Sequence, residues 1–193
     1  MKKVLFELVS LISRSTLSQI TTLSTGVSKQ ENDFLQSSYS VTIKGQLLDL
    51  YSNVNGYVSP PIFGDATFPF FQSLYMLDLT SAFSRKYLIA NEWIDEDLFT
   101  SRNLLPVFTD DVDHLMVDLE VDNSPVFHLS SESENQLSVM YTDLETMLET
   151  IKKYYEDGII SISDSNKEVD YNKLAEISLL YNPTADYWYN GST

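Results

Sequence analysis

The chain has no cysteine and only two histidines, and these shortages exclude several kinds of site. Without cysteine there is no disulfide framework, no thiolate zinc site and no thiol nucleophile. The sequence also lacks the glycine-rich phosphate-binding loops, the nucleophile elbow of serine hydrolases and the paired-histidine motif of zinc proteases. Nucleotide, phosphate and hydrolase chemistry therefore has no recognisable motif, and a cysteine-free chain fits a reducing cytoplasm.

The N-terminus imitates a secretory signal, because two lysines precede an apolar run. Glu7 interrupts that run, Arg14 follows it, and the stretch is too short to cross a bilayer. The apolar side chains recur instead at helical spacing, at Leu5, Leu8, Val9 and Ile12. We therefore expect an amphipathic helix that packs on the core or on a partner, in a cytoplasmic protein with no membrane segment.

Length and composition predict a folded chain with one core. Of 193 residues, 43% are hydrophobic and 12% are aromatic, which is far above the aromatic content of disordered chains. We divide the chain into a helix with a Ser/Thr-rich connection (1–40), a main domain (41–183) and an aromatic tail (184–193). Within the connection, one helical turn is expected near residues 33–36.

The acidic excess is confined to one stretch. Residues 91–170 contain 20 acidic and 4 basic side chains, a net charge of −16, whereas the rest of the chain has 8 of each. Such a field excludes nucleic acid as a partner and steers basic proteins toward the chain. The alternative is that the acidity only keeps the protein soluble.

The order of patterns predicts an α+β fold, with an antiparallel or mixed sheet between N- and C-terminal helices. A helix from Val41 is expected to stop at Asn55-Gly56, and one or two strands are expected within 68–79. Thr80 or Ser81 is a candidate cap for a helix that runs to about Asn91. Three apolar runs between Asp-rich turns predict a meander of strands: 104–108, 115–119 and 125–129.

Two further helices follow the predicted meander. Thr142-Asp143-Leu144-Glu145 has the T-x-x-E pattern of a capping box, and an apolar stripe follows it as far as Gly158. The last helix is expected over residues 171–181, because Pro183 disfavours helix at the residue before it.

Several of these segments, in this order, resemble the SUKH superfamily, in the branch that includes fungal cell-wall synthesis regulators and many bacterial immunity proteins. The resemblance covers roughly Val41 to Pro183. The segments that carry it are Tyr51–Gly56 (Tyr-x-x-x-Asn-Gly), Leu104–Phe108, Pro125–Phe127, Leu144–Gly158 and Tyr181–Pro183. One departure is Asp110-Asp111-Val112-Asp113, which stands where the family usually has a glycine-containing turn.

The resemblance implies a mixed sheet flanked by helices, without catalytic activity or cofactor. It also implies a bacterial protein that neutralises a toxin domain, often a nuclease, by holding it. An acidic inhibitor could cover the basic surface with which a nuclease holds phosphates. The alternative function is a regulatory scaffold of cell-envelope or stress pathways that binds host proteins.

We predict that the partner-binding residues are acidic groups near the strand ends with one aromatic anchor: Trp93, Asp95, Glu96, Asp97, Asp110, Asp111, Asp113, Asp118, Glu120 and Asp122. A metal site at residues 110–114 is the competing interpretation, but the spacing lacks the glycine and terminal glutamate of an EF-hand. A solvated acidic turn explains the segment better. The second aromatic group, Tyr187-Trp188-Tyr189, either binds a partner or folds onto the core.

Overall fold

The sequence folds into alternating helices and short strands. The computed structural model describes residues 1–15, 23–57, 74–92, 102–110, 112–130, 137–163 and 166–190. The helices in these parts are α1 (Lys2–Ser15), α2 (Lys29–Tyr39), α3 (Gly45–Asn53), α4 (Leu79–Glu92), α5 (Leu144–Glu156), α6 (Tyr171–Tyr181) and α7 (Tyr187–Asn190). The strands are β1 (Leu23–Thr25), β2 (Val54–Tyr57), β3 (Tyr75–Met76), β4 (Leu104–Thr109), β5 (Asp113–Asp118), β6 (Val126–Ser130), β7 (Leu137–Tyr141), β8 (Ile160–Ser163) and β9 (Asn166–Val169).

The central sheet has five strands in the order β3-β4-β5-β6-β7, and each neighbouring pair is antiparallel. Three of these strands, β4 to β6, fall on the three predicted apolar runs, so the predicted meander is confirmed. The fourth strand of the meander, β7, was not predicted. Two-stranded sheets, β1-β2 and β8-β9, complete the pairing found in the described parts of the chain.

The two faces of the central sheet belong to different clusters. Neighbouring residues alternate between them: Leu105 and Val117 join the main core, whereas Leu104 and Met116 join a second, smaller cluster. This alternation follows from the two-residue period of a strand. Both faces are buried, which explains why the strands read as continuous apolar runs in the sequence.

The predicted amphipathic helix α1 packs on the core against α5. Leu5, Leu8 and Ile12 are at most 3% exposed and belong to the main cluster. That cluster also contains Leu35 of α2 and Trp188 of α7. The chain therefore forms one α+β domain to which its first forty residues and its aromatic tail both contribute. No helix among the described residues is long and apolar enough to cross a membrane.

The expected weak connection before residue 40 is wrong in part, because the structure has an eleven-residue helix there, α2. Ser28 caps it, with its Oγ accepting a hydrogen bond from Glu31 N at 3.2 Å. Ser28 to Glu31 is a S-x-x-E capping signature that sequence reasoning overlooked. The helix buries Asn32 and Leu35, so little apolar periodicity marked it.

The expected helix end at Asn55-Gly56 is also wrong. The third helix runs only from Gly45 to Asn53, and the chain enters strand β2 at Val54. Gly56 does adopt a left-handed backbone conformation, with φ of 65°, but within that strand. The glycine is needed there because a Cβ would overlap the backbone of Leu77 and Asp78. Close approach of two chain segments, and not a helix cap, selects glycine at this position.

Two predicted helix caps shift to a neighbouring aspartate. At α4 the cap is Asp78, whose Oδ1 accepts from Ser81 N at 3.0 Å, and not Thr80 or Ser81. At α5 the cap is Asp143, whose Oδ1 accepts from Thr146 N at 2.7 Å, and not Thr142. In each case the aspartate side chain satisfies a backbone N–H that the first turn leaves without a helical partner. Of the segment 68–79, expected to hold one or two strands, the described part contains β3, and residues 68–73 lie outside the described residues, as does the acidic loop at 95–97.

Candidate protein-binding surface

Half of the predicted partner-binding residues lie in the part of the chain that the structure describes: Asp110, Asp113, Asp118, Glu120 and Asp122. The other half lie outside it: Trp93, Asp95, Glu96, Asp97 and Asp111. The described five divide between the two ends of strand β5.

Asp110 shapes the turn between β4 and β5. Its Oδ1 accepts hydrogen bonds from Asp113 N at 2.7 Å and from Val112 N at 3.1 Å, and its own N–H donates to Asp113 O at 3.2 Å. A side chain that binds backbone groups two and three residues ahead is typical of an Asx turn. Asp110 therefore has a structural role in this turn besides its charge.

Asp113 opens β5 and faces a histidine on the next strand. The Nε2 of His128 lies 3.3 Å from Asp113 Oδ1, and the ring of Tyr187 in α7 lies 4.8 Å from the histidine ring, centroid to centroid. Burial lowers the pKa of His128, and the carboxylates of Asp113 and Asp110 oppose that shift only in part. Burial also raises the pKa of Tyr187, with a smaller contribution from Asp113. At this end of the sheet, the carboxylate of Asp113 therefore lies beside His128, whose ring packs on that of Tyr187.

The other three carboxylates lie at the end of β5 and in the turn that follows it. Asp118 Oδ1 accepts from Glu120 N at 3.0 Å and so closes the turn. The ammonium group of Lys44 donates to Glu120 O at 2.9 Å and lies 3.3 Å from a carboxylate oxygen of Asp122. Asp122 nevertheless stays open, since its side chain is 69% exposed. This turn is therefore an ordered acidic edge that basic side chains partly neutralise.

Lys86 of α4 is linked by hydrogen bonds to the same turn. Its ammonium donates to Asn103 Oδ1 at 2.7 Å and to Leu104 O at 2.9 Å, and Asn103 Nδ2 donates in turn to Glu120 Oε1 at 2.8 Å. Burial lowers the pKa of Lys86, while the carboxylates of Asp118 and Glu120 oppose that shift. A half-buried ammonium that binds two oxygen atoms therefore helps to hold the turn in position.

The two acidic groups do not form one cluster. Asp113 and Asp118 are the first and last residues of β5, so their Cα atoms are about 17 Å apart at the usual rise of an antiparallel strand. A standard protein interface is wide enough to include both ends. The structure therefore supplies two acidic edges, separated by the length of a strand.

Many of the remaining carboxylates of the acidic stretch also hold local structure. Asp143 caps α5, and Asp170 caps α6 by accepting from Lys173 N at 3.2 Å. Glu156 and Asp157 each pair with a lysine one helical turn away, at 3.7 Å and 2.8 Å. These carboxylates stay ionised in such contacts. They therefore stabilise the fold and still contribute to the negative electrostatic field of the chain.

The competing metal site at residues 110–114 includes Asp111, which lies outside the described residues. Among the residues that the structure describes, no group of three or more histidine or carboxylate side chains is placed to hold a metal ion. His114 is fully buried, and its Nδ1 lies 2.8 Å from the hydroxyl of Thr109. His114 of β5 is thus a buried polar residue that packs beside Thr109 of β4.

The aromatic tail folds onto the core. Trp188 is 6% exposed, and its indole N–H donates to Met140 O at 2.6 Å. Its ring lies edge-on to Tyr141, with centroids 5.9 Å apart. Of the two interpretations of this tail, the structure thus favours the one in which its tryptophan belongs to the core, while Tyr189 stays 60% exposed.

Sequence reasoning missed an exposed aromatic surface between α2 and α4. Tyr87 is 47% exposed and donates its hydroxyl to Tyr39 O at 2.8 Å, and the neighbouring Leu88 is 49% exposed. Forty-eight residues separate the two tyrosines in sequence. One feature of the sequence could have indicated this surface. Phe83 and Ile89 already form the buried side of helix α4, so the adjacent Tyr87 and Leu88 are apolar residues in excess of what that side needs.

No family model matches this chain, and no curated protein matches its sequence significantly.

Proposed function

We propose that this chain is a non-catalytic protein-binding module, and more specifically a cytoplasmic bacterial immunity protein that neutralises a basic toxin domain. The observation that carries the proposal is the net charge of −16, all of which arises within residues 91–170. Binding of the partner would cover the surface with which the toxin holds its own substrate, such as the phosphates of a nucleic acid.

Electrostatics supports a basic partner on physical grounds. A concentrated negative field raises the rate of encounter with basic proteins and disfavours acidic ones. The acidic edges at both ends of β5 are ordered, so little conformational entropy would be lost when they meet lysine or arginine. The exposed carboxylate of Asp122 and the half-buried one of Asp113 are the described groups best placed to contribute.

The resemblance of residues 41–183 to the SUKH superfamily supports the same proposal from a second direction. Characterised members of that superfamily act by protein contacts, and its bacterial members typically neutralise toxins.

The test is capture of partners from the lysate of the native host on the immobilised full chain, at low and at high salt. We expect one basic protein with a toxic domain that is retained at low salt and released at high salt. Expression of that protein should kill cells, and co-expression of this chain should rescue them. Capture of several host proteins without any rescue would instead favour the regulatory scaffold, and would reject the immunity proposal.

A further inference from the structure

Strand β7 is the last strand of the central sheet, so one of its edges is turned away from β6. Among the residues that the structure describes, no strand pairs with that free edge. The sequence of β7, Leu-Ser-Val-Met-Tyr, contains no charged side chain and no proline. Charged side chains and prolines are common features that keep an edge strand from pairing with another strand. Strand β7 lacks both of these protections.

Side chains from the C-terminal segment cover the free edge instead. Asp186 Oδ1 accepts a hydrogen bond from Val139 N at 2.7 Å, so this N–H is directed away from β6. The register between β6 and β7 skips Met140, and the carbonyl of Met140 accepts the indole N–H of Trp188 at 2.6 Å. Backbone groups that an added strand would bind are therefore already satisfied.

Asn182 anchors this segment at the other end of the strand. Its Oδ1 accepts from Thr142 N at 2.9 Å, directly after β7, and its Nδ2 donates to Thr150 Oγ1 of α5 at 3.1 Å. The Asn182 side chain is fully buried. We define the edge strap as residues 182–188, which run from this anchor along β7 to Trp188.

Packing holds the edge strap in place between its hydrogen bonds. Ala185 is fully buried, and the ring of Tyr187 lies 4.8 Å from that of His128 in β6, centroid to centroid. The ring of Tyr187 also lies edge-on to Trp188, at 4.9 Å. The edge strap therefore contacts both β7 and its neighbour β6.

We propose that the edge strap is a guard that keeps β7 from pairing with strands of other molecules. A sixth strand in its place would only move the free edge outward, whereas side chains end the ladder. The net charge of −16 also keeps copies of the chain apart, but that protection weakens as salt screens it. The edge strap acts by direct contact at any salt concentration. This inference does not depend on the immunity proposal.

The first test is amide hydrogen exchange of the purified full chain, measured by NMR. In Asp186→Ala we expect the Val139 amide to exchange at least about tenfold faster than in the wild type, because it loses a hydrogen bond to a charged group. The matched control is Glu176→Ala, which removes an exposed carboxylate of α6 and should leave Val139 unchanged. An unchanged Val139 rate in Asp186→Ala would show that the edge strap does not close the edge.

The second test is whether an opened edge causes association. Asp186→Ala combined with Trp188→Phe removes both hydrogen bonds to β7 and keeps an aromatic ring in the core. We expect this double variant to form thioflavin-positive aggregates severalfold sooner than the wild type at about 0.5 M salt, where repulsion between acidic copies is screened. Glu176→Ala combined with Tyr171→Phe, at two exposed residues of α6, should behave like the wild type.

A rescue separates an open edge from a general loss of stability. Ser138→Lys places a charge on β7, so it should return the double variant to the aggregation rate of the wild type without raising its free energy of unfolding. Circular dichroism checks that each variant is folded. Aggregation that Ser138→Lys leaves unchanged, or a double variant that aggregates no sooner than its control, would overturn the proposal.

Discussion

At the scale of single residues, two glycines with the same backbone conformation differ in their surroundings. Gly56 and Gly158 have φ values of 65° and 64°. A Cβ at Gly56 would overlap the backbone of Leu77 and Asp78, whereas nothing lies within 4 Å of a Cβ at Gly158. Their comparison separates the cost of a left-handed conformation from the cost of a steric clash.

We expect Gly158→Ala to lower the free energy of unfolding by about 1 kcal/mol, which is the usual cost of left-handed backbone in an L-residue. Gly56→Ala should cost at least about 3 kcal/mol, because strand β2 must also move away from the chain at residues 77–78. Urea unfolding of the two variants measures the difference. Equal losses would contradict the close approach at Gly56.

His128 makes stability depend on pH near neutrality. Burial lowers its folded-state pKa, so the unfolded chain binds a proton more readily. As pH falls below about 6.5, the usual value, stability decreases until the folded-state pKa is passed. The loss is at most about 1.4 kcal/mol per pH unit for one group.

We therefore expect the wild-type chain to lose more free energy of unfolding than His128→Gln between pH 7.5 and pH 5.5. Denaturant unfolding at both values measures it, and the comparison cancels the contributions of other groups. A variant that loses as much stability as the wild type would show that His128 is not the responsible group.

At the scale of elements, the N-terminus of α5 allows a test of which residue caps the helix, Thr142 or Asp143. Asp143, and not Thr142, supplies the oxygen that accepts from Thr146 N. The Thr142 side chain is exposed, and its backbone N–H donates to Asn182 Oδ1 at 2.9 Å whatever side chain it carries. Asp143→Ala should lower the free energy of unfolding by about 1 kcal/mol, and Thr142→Ala should change it by less than about 0.5 kcal/mol. A larger loss from Thr142→Ala, measured by thermal or urea unfolding, would reverse the assignment.

Elements with strong apolar periodicity could be predicted from the sequence. Strands β4 to β6 and helices α1, α5 and α6 each bury a continuous run or a stripe, and each lies where the pattern placed it. Helix α2 buries mainly Leu35 and Asn32, so its polar sequence resembled a connection. Gly56 misled the prediction because the reason for a glycine there is the close approach of Leu77 and Asp78, in the connection between β3 and α4.

The binding surface was less accessible to sequence reasoning than the fold. Charge counting found the acidic stretch, but it could not tell that Asp113 and Asp118 lie at opposite ends of one strand. It also could not tell that Asp110 and Asp118 shape turns. The contact between Tyr39 and Tyr87 joins helices 48 residues apart, and no local pattern encodes such a pairing.

At the scale of the whole molecule, the net charge of −16 determines how association with a basic partner responds to salt. Binding of a basic partner should weaken as salt rises, because screening removes the attraction.

The most direct test of the account is the rate constant of association between this chain and its captured basic partner, measured by stopped flow against ionic strength. The account predicts a steep fall with salt and little change in the dissociation rate. Glu149→Lys, at an exposed carboxylate, should slow association, whereas Lys3→Glu, at an exposed lysine, should not. An association rate that is independent of ionic strength, and equal for both variants, would contradict the claim that the acidic charge selects the partner.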